Sequence, residues 1–280
     1  MGLNILEKTV LPEAPLGQKS PYPKAYDKGL LFPVSRLEQR RAMGLPEDLV
    51  LFGFDVWNAY ELYWLDMRGK PVRSVATIIV PVDSPNICES KSLKLYLNSL
   101  NHHRYASEDD VAEQIASDVS ELCGVDVRVL LSQPELRTID DVCLSNFRLL
   151  DDLKIDIEHY RRRPELLWAR DEQVVSERVS SHLFKSHCLC TGQPDMGSIF
   201  IEYTGPKLDD EGLLAYIISY RDHVGFSENC IEQIFADITL AIKPTKLSVH
   251  GRFSRRGGID INPYRANHEL PVSNCRLFFQ

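Results

Sequence analysis

From Leu49 to Asp66 apolar and aromatic side chains crowd together, with Phe52, Phe54, Val56, Trp57, Tyr60, Tyr63 and Trp64 in close succession. Such bulky residues suit a pleated, half-buried surface, so the stretch reads as a strand. Arg68-Gly69-Lys70-Pro71 then reads as a hairpin turn and Val72 to Val82 as the returning strand. The apolar period lengthens next. Leu93, Leu97 and Leu100 line one face of a helix around 92–101, and Val111, Ile115, Val119 and Leu122 line a second helix that starts at Ser107. Val125 to Leu131 closes the set as a strand.

The order returns in the second half. Val174, Val175, Val179, Leu183 and Phe184 lead a strand that breaks at Gly192 and Pro194 and resumes from Ser198 to Tyr203. Helix one of this half opens on Asp209, Asp210 and Glu211 and carries Arg221 near its end, as the helix dipole favours. Its apolar positions are Leu213, Leu214, Ile217 and Ile218; helix two has Ser227 as N-cap and a stripe of Ile231, Ile234, Phe235 and Ile238. At an offset of 120 positions Leu93 matches Leu213, Tyr96 matches Tyr216, Ser99 matches Ser219 and His103 matches His223. Ser107-Glu108 matches Ser227-Glu228, and Asp118 matches Asp237 after one residue of slippage. Identities in one order across two helices indicate a tandem duplication of a β-β-α-α-β module. The expected division is an N-terminal arm over 1–45, a first module over 46–133, a charged connector over 134–173 and a second module over 174–280. The proline-bearing arm should run extended over the surface. After a strand from Leu247 to Phe253 come Arg255-Arg256-Gly257-Gly258, a short apolar step and a turn at Asn262-Pro263.

Composition removes several function classes. The 280 residues include 32 basic against 40 acidic, a net charge of −8, the wrong sign for a nucleic-acid binder. No secretory signal opens the chain and no apolar run reaches membrane-spanning length, so neither a leader nor a membrane association is expected. The seven cysteines are odd in number and scattered, which reads as a reducing cytoplasm rather than a disulfide framework.

The chemistry concentrates between Lys185 and Tyr203. Cys188 and Cys190 share one face of a strand, with His187 opposite, and Asp195 follows the Gly/Pro break. A thiol and a carboxyl on either side of a corner suit a nucleophile and a proton donor. Both cysteines also suit small buried core residues, and His187, Cys188, Cys190 and His223 offer zinc-ligating atoms without a recognised ligand spacing. Asp195 also suits a turn. Glu228 suits the first turn of a helix through the dipole, or the N–H and amino edge of a guanine-like ring. Lys91, Lys94, Arg255 and Arg256-Gly257-Gly258 suit either solvated charge or a phosphate site where glycines admit close backbone approach. No Rossmann or P-loop run occurs.

Taken together, Glu89-Ser90-Lys91-Ser92-Leu93-Lys94-Leu95-Tyr96, Cys188 through Gln193-Pro194-Asp195, and Arg255-Arg256-Gly257-Gly258 resemble the motifs of the NADPH-dependent 7-cyano-7-deazaguanine reductase family, the nitrile reductases of queuosine biosynthesis. The resemblance extends to Leu16-Gly17 and Asp260-Ile261-Asn262-Pro263 and matches the two-module branch. It implies an α+β fold of tandem tunnelling-fold modules, antiparallel sheets with paired helices on one face, related to GTP cyclohydrolase. It implies Cys188 as the nucleophile that forms a covalent thioimide with the nitrile and Asp195 as proton donor. It further implies substrate contacts at Cys88, Glu89, Ser90, Ser227 and Glu228, NADPH contacts at Ser90, Lys91, Arg256 and Gly257, and no metal; the sheet edges such modules leave exposed point to a homodimer. On this reading one complete site draws on both halves, since only the second copy has the Cys188/Asp195 corner.

One position departs from the family pattern. Phe226-Ser227-Glu228 stands where the family usually carries Phe-His-Glu, and a serine hydroxyl is shorter and does not titrate near neutrality. Cys230, one helical turn beyond Ser227, is placed for a reversible disulfide with Cys188 that would shield the nucleophile. The alternatives are a zinc-dependent cyclohydrolase-like hydrolase and a non-catalytic deazaguanine- or pterin-binding protein.

Overall fold

The computed structural model describes residues 23–280 apart from 47, 48, 50, 133–143, 145, 190, 272, 273, 278 and 279. Leu16-Gly17, Cys143 and Cys190, and with Cys190 part of the zinc reading, therefore lie outside the described residues. The chain divides into two compact units. One comprises 1–42, 55–138 and 255–260, the other 43–54, 139–254 and 261–280.

In the first unit, β1 (Pro33–Ser35) pairs antiparallel with β4 (Asn86–Cys88), and α1 (Arg36–Ala42) follows β1 directly. Residues 33–42, expected as part of an extended arm, are thus strand and helix. The cause is an ion pair the arm makes with distant residues: buried Arg36 donates to Asp55 at 2.6 Å and to Ser84 at 2.8 Å. Strands β2 (Phe52–Leu65), β3 (Pro71–Pro81) and β5 (Arg128–Ser132) lie side by side with β3 central, β3 and β5 running antiparallel. The hairpin expected at 68–71 is where β2 turns into β3. Helices α2 (Ser90–Ser99) and α3 (Glu108–Cys123) bury Leu93, Tyr96, Leu97, Val111, Ile115 and Val119. Ser107 caps α3 with a reciprocal Ser107/Asp110 capping box, and Gly124 ends it in the left-handed conformation at φ 73°.

In the second unit the strand order is β10-β9-β8-β7-β6, from β6 (Arg148–Leu149), β7 (Ala169–His187), β8 (Pro194–Leu208), β9 (Lys246–Phe253) and β10 (Ile259–Ala266). All these pairs are antiparallel except the two-residue β6/β7 contact. The last three residues of β10 in its ladder with β9 run from Tyr264↔His250 to Ala266↔Ser248. Asn262-Pro263, expected as a turn, therefore lies inside a strand: proline's fixed φ is compatible with extended backbone, and pairing overrides turn propensity. Helices α4 (Asp210–Ile218) and α5 (Ser227–Ile242) pack on this sheet. Val179, Ile199, Ile201, Leu247 and Val249 meet Leu213, Leu214, Ile217, Ile231, Ile234, Phe235 and Ile238 in one core, so both apolar stripes read from the sequence are buried. Much of the expected connector belongs to this packing. Leu150 joins the core, Leu153, Ile155 and Ile157 lie against it, and Arg162 pairs with Asp237 at 2.5 Å.

Residues matched by sequence make matching bonds in each unit. Tyr96 Oη donates to Asp118 Oδ2 at 2.6 Å, as Tyr216 does to Asp237 Oδ2 at 2.6 Å. The Ser99 and Ser219 hydroxyls donate back to the carbonyls of Tyr96 and Tyr216. The carbonyl of His103 accepts from Leu65 N–H and that of His223 from His187 N–H.

Candidate active site

The site in the second unit is made by a bulge. Along β7, Val179 and Ser181 pair with Ile201 and Ile199 on the core face of β8. Between Ser181↔Ile199 and Phe184↔Gly197 the register shifts, so that His182 and Leu183 stand against Ser198 alone. One extra residue reverses the alternation of faces. Downstream of it the even-numbered residues Phe184 and Ser186 face the helices, and Cys188 follows the strand's last residue, His187. Phe184 is fully buried, and Cys188 retains 9 % exposure. Asp151 Oδ2 accepts the His182 N–H at 2.9 Å and His182 Nδ1 meets Ser198 Oγ at 2.9 Å, satisfying the bulge's polar groups.

Beyond His187↔Pro194 the two strands are joined by a closed loop. Cys188 N–H donates to the Gln193 carbonyl at 2.8 Å, and Gly192 N–H to the Cys188 carbonyl at 3.0 Å, with Gly192 left-handed at φ 64°. Asp195 opens β8 opposite Ser186 and is half-buried. The segment before α5 is stapled to the same strand end: His187 N–H donates to the His223 carbonyl at 2.8 Å and Gly225 N–H to the His187 carbonyl at 3.0 Å. This brings the first turn of α5 up to the corner that carries Cys188 and Asp195.

Ser227, expected as the N-cap, is instead the first residue inside α5; Phe226 holds the cap position and makes no side-chain capping bond. Ser107, its match in the other unit, does cap. The two serines share a sequence position but not a job. Glu228 is buried in the first turn of α5. Cys230 is wholly buried, and its thiol is pushed up to about 12 by that burial and by the nearby charges of Asp195 and Glu228, which the Ser186 hydroxyl and Arg162 oppose. Asp195, Ser186, Glu228 and Cys230 thus share one neighbourhood. His223 is pulled down to about 4 by burial and by the Arg162 charge, so it is neutral at physiological pH. Cys88, Cys123, Cys188 and Cys230 are free thiols.

The first unit carries the other candidates. Glu89 is the N-cap of α2. Its Oε1 accepts the Lys91 N–H at 2.7 Å and its Oε2 the Ser92 N–H at 2.8 Å, with Ser90 Oγ at 3.3 Å from Oε1. A carboxylate in that position satisfies two of the helix's unpaired donors. Cys88 is buried, its Sγ 3.5 Å from Ser92 Oγ, and burial pushes its thiol far up, which keeps it protonated.

Arg256 and Ile259 exchange backbone hydrogen bonds in both directions, so Gly257-Gly258 is a two-residue hairpin turn. Both glycines are left-handed, at φ 60° and 82°, as a type I′ turn demands. A Cβ at Gly257 would meet the Lys94 side chain at 2.9 Å, and one at Gly258 would meet Glu61. Arg255 lies over the Tyr60 ring, 4.5 Å from its centroid, and Tyr60 Oη donates to Asp260 at 2.6 Å. This bare glycine turn, with Arg256 at its base and Lys94 against it, fits a phosphate-bearing ligand: backbone can approach closely and cations are at hand. Glu61, against Gly258, has no signal in the sequence, being an acidic residue in an aromatic strand. Ser90 and Lys91 open α2 in the same unit. Among the described residues no group of three His, Cys, Asp or Glu side chains is placed to hold a metal ion, and no helix is long and apolar enough to cross a membrane.

The chain is similar to known proteins over most of its length. Residues 22–131 match the family described as "Nitrile reductase, 7-cyano-7-deazaguanine-reductase N-term", and residues 194–271 match one described as "QueF-like protein". The protein named NADPH-dependent 7-cyano-7-deazaguanine reductase from Paraburkholderia phytofirmans is 49 % identical over 95 % of this chain and 97 % of its own length. The proteins of the same name from Paraburkholderia xenovorans and Cupriavidus metallidurans are 50 % and 48 % identical, over 95 % of this chain and 97 % and 98 % of their own.

Proposed function

This chain belongs to the NADPH-dependent 7-cyano-7-deazaguanine reductase family, and we infer from that premise that it reduces the nitrile of 7-cyano-7-deazaguanine to the aminomethyl group, an oxidoreductase of queuosine biosynthesis. The observation that carries the residue assignment is the β7/β8 corner. A free thiol and a half-buried carboxyl flank one closed loop, beside a helix whose first turn holds a buried glutamate.

Cys188 attacks the nitrile carbon. An S–C bond forms, one C–N π bond breaks, and the thiol proton passes to nitrogen through Asp195, leaving a thioimide. Glu228 accepts from the N–H and amino edge of the deazaguanine ring, and Ser227, whose hydroxyl does not cap α5, is a further substrate contact. Cys88, Glu89 and Ser90 complete the proposed substrate set, with Glu89 acting mainly by holding the start of α2. Ser90, Lys91, Arg256 and Gly257 hold NADPH, the cations and the glycine turn meeting its phosphates. NADPH supplies the hydride when bound, and nitrile to amine consumes two hydrides and two protons, hence two NADPH.

The finer architecture belongs to the same proposal: two tunnelling-fold modules over 46–133 and 174–280, an arm over 1–45, a connector over 134–173, and a cytoplasmic homodimer. The matching Tyr–Asp and Ser–carbonyl bonds of the two units support the duplication. The test is incubation with 7-cyano-7-deazaguanine followed by intact mass and NADPH oxidation. The parent gains one substrate mass and Cys188→Ala gains none; an adduct that persists in Cys188→Ala would overturn the assignment. Asp195→Asn slows both capture and turnover, and parent-like turnover would remove it as proton donor.

A further inference from the structure

His187, at an odd-numbered position of β7, lies on the opposite side of the strand from Phe184 and Ser186. Its two nitrogens tie three parts of the second unit together. Lys185 Nζ lies 3.0 Å from Nε2 and also donates to the Arg221 carbonyl at 3.1 Å. Nδ1 lies 3.0 Å from the Gly192 carbonyl. An ammonium has only protons to offer, so Nε2 must accept; the proton then sits on Nδ1 and is donated to Gly192. The neighbours leave the ring a single tautomer.

The chain of bonds runs from Arg221 through Lys185 and His187 to Gly192, and from there into the loop of Cys188. Gly192 N–H already holds the Cys188 carbonyl at 3.0 Å. Both polar backbone groups of Gly192 are thus engaged, one by the residue before the nucleophile and one by the nucleophile itself. The loop's left-handed turn is fixed at its least constrained residue, since glycine there has no side chain to anchor it.

We propose that His187 is a positioning residue for Cys188: the neutral imidazole, held on Nε2 by Lys185, pins the Gly192 carbonyl and so sets where the sulfur stands when it meets the nitrile carbon. The proposal rests on Cys188 being the nucleophile. It assigns His187 no contact with substrate and no proton transfer.

Three substitutions separate this role from general loss of fold. His187→Asn puts an amide N–H near the place of Nδ1 and keeps the donor to Gly192. His187→Gln reaches the Nε2 position and keeps an acceptor for Lys185, but offers Gly192 nothing. His187→Leu loses both. The readouts are the rate of adduct formation with 7-cyano-7-deazaguanine by quenched mass spectrometry, the KM for NADPH and the urea midpoint. Misplacing a reacting atom by a fraction of an ångström slows capture by about tenfold. That loss is expected in the Leu and Gln variants with KM for NADPH unchanged, while the Asn variant stays within about threefold of the parent. Three parent-like rates, an Asn variant as slow as Leu, a Gln variant that recovers, or a loss that follows the folded fraction alone would each overturn the proposal. A parent that forms no adduct at all would instead refute the nucleophile assignment itself, so the two failures are distinguishable.

Discussion

Replacing Asp151 by Ala tests what keeps the β7 bulge in place. The carboxylate accepts the His182 N–H at 2.9 Å at the point where two residues of β7 oppose Ser198 alone. Losing a hydrogen bond to a charged acceptor costs about 1.5–3 kcal/mol. The alternative for the chain is to drop the bulge and slip the rest of β7 by one residue. That slip would turn Phe184, fully buried in the core, to the opposite face, at a cost of about 3–5 kcal/mol by comparison with truncating a core phenylalanine. Ser186 and Cys188 would turn with it. The core term exceeds the hydrogen-bond term, so the bulge survives the substitution. Urea unfolding of Asp151→Ala should therefore show stability lower by about 1.5–3 kcal/mol with an unchanged m-value. Adduct formation per folded molecule should stay within about threefold of the parent, a difference well under one kcal/mol. A variant with parent-like stability that no longer captures the nitrile would refute this reasoning, because the carboxylate and not the core would then decide which way Cys188 faces.

Other consequences are separately measurable. His223 titrates in the folded chain at about 4 against 6.5 as a free group. The unfolded chain binds the proton first, so this stabilisation is complete above pH 6.5 and is lost as the pH falls towards 4. Discounted for the part of the ring that solvent reaches, the loss is about 1–2 kcal/mol, and urea midpoints of His223→Asn should fall less than the parent's between pH 7 and pH 4.5; identical slopes would refute it. Gly257→Ala adds a Cβ to a left-handed residue and pushes on Lys94. The strain costs about 1–2 kcal/mol, and the KM for NADPH should rise while nitrile adduct formation is spared; an unchanged KM would detach this turn from the cofactor. Tyr216→Phe leaves Asp237 without its 2.6 Å donor and should cost about 1–3 kcal/mol in chemical unfolding. Tyr96→Phe, at the matched bond to Asp118, should cost a similar amount, and a large asymmetry would refute the equivalence of the two networks.

The local pattern carried much of the architecture. Helix stripes such as Leu213-Leu214-Ile217 and Ile231-Ile234-Phe235 are statements about burial that 3.6-residue spacing makes on its own. The duplicated Tyr96/Tyr216 and Asp118/Asp237 positions, legible only as identities, prove to be hydrogen-bonded pairs. Residues 33–42 depart from an extended arm because Arg36 finds its partner Asp55 across a gap no local window spans. Asn262-Pro263 is strand and not turn because pairing with a distant strand outweighs local turn chemistry.

At the site the division is sharper. Residue types and spacing alone put a thiol seven positions before a carboxyl across a Gly/Pro corner, and an acidic residue at the start of a helix. They did not decide which face of the strand the thiol takes, since alternation along β7 gives one answer from Val179 and the opposite answer from Phe184. The bulge between them decides, and it is held by Phe184's place in the core, with Asp151 from an earlier segment accepting its N–H. Nor did they reveal that Ser107 caps its helix while Ser227 does not, or that His187 bridges Lys185 and Gly192. Those facts depend on which backbone groups come within about 3 Å of one another, and only the folded chain determines that.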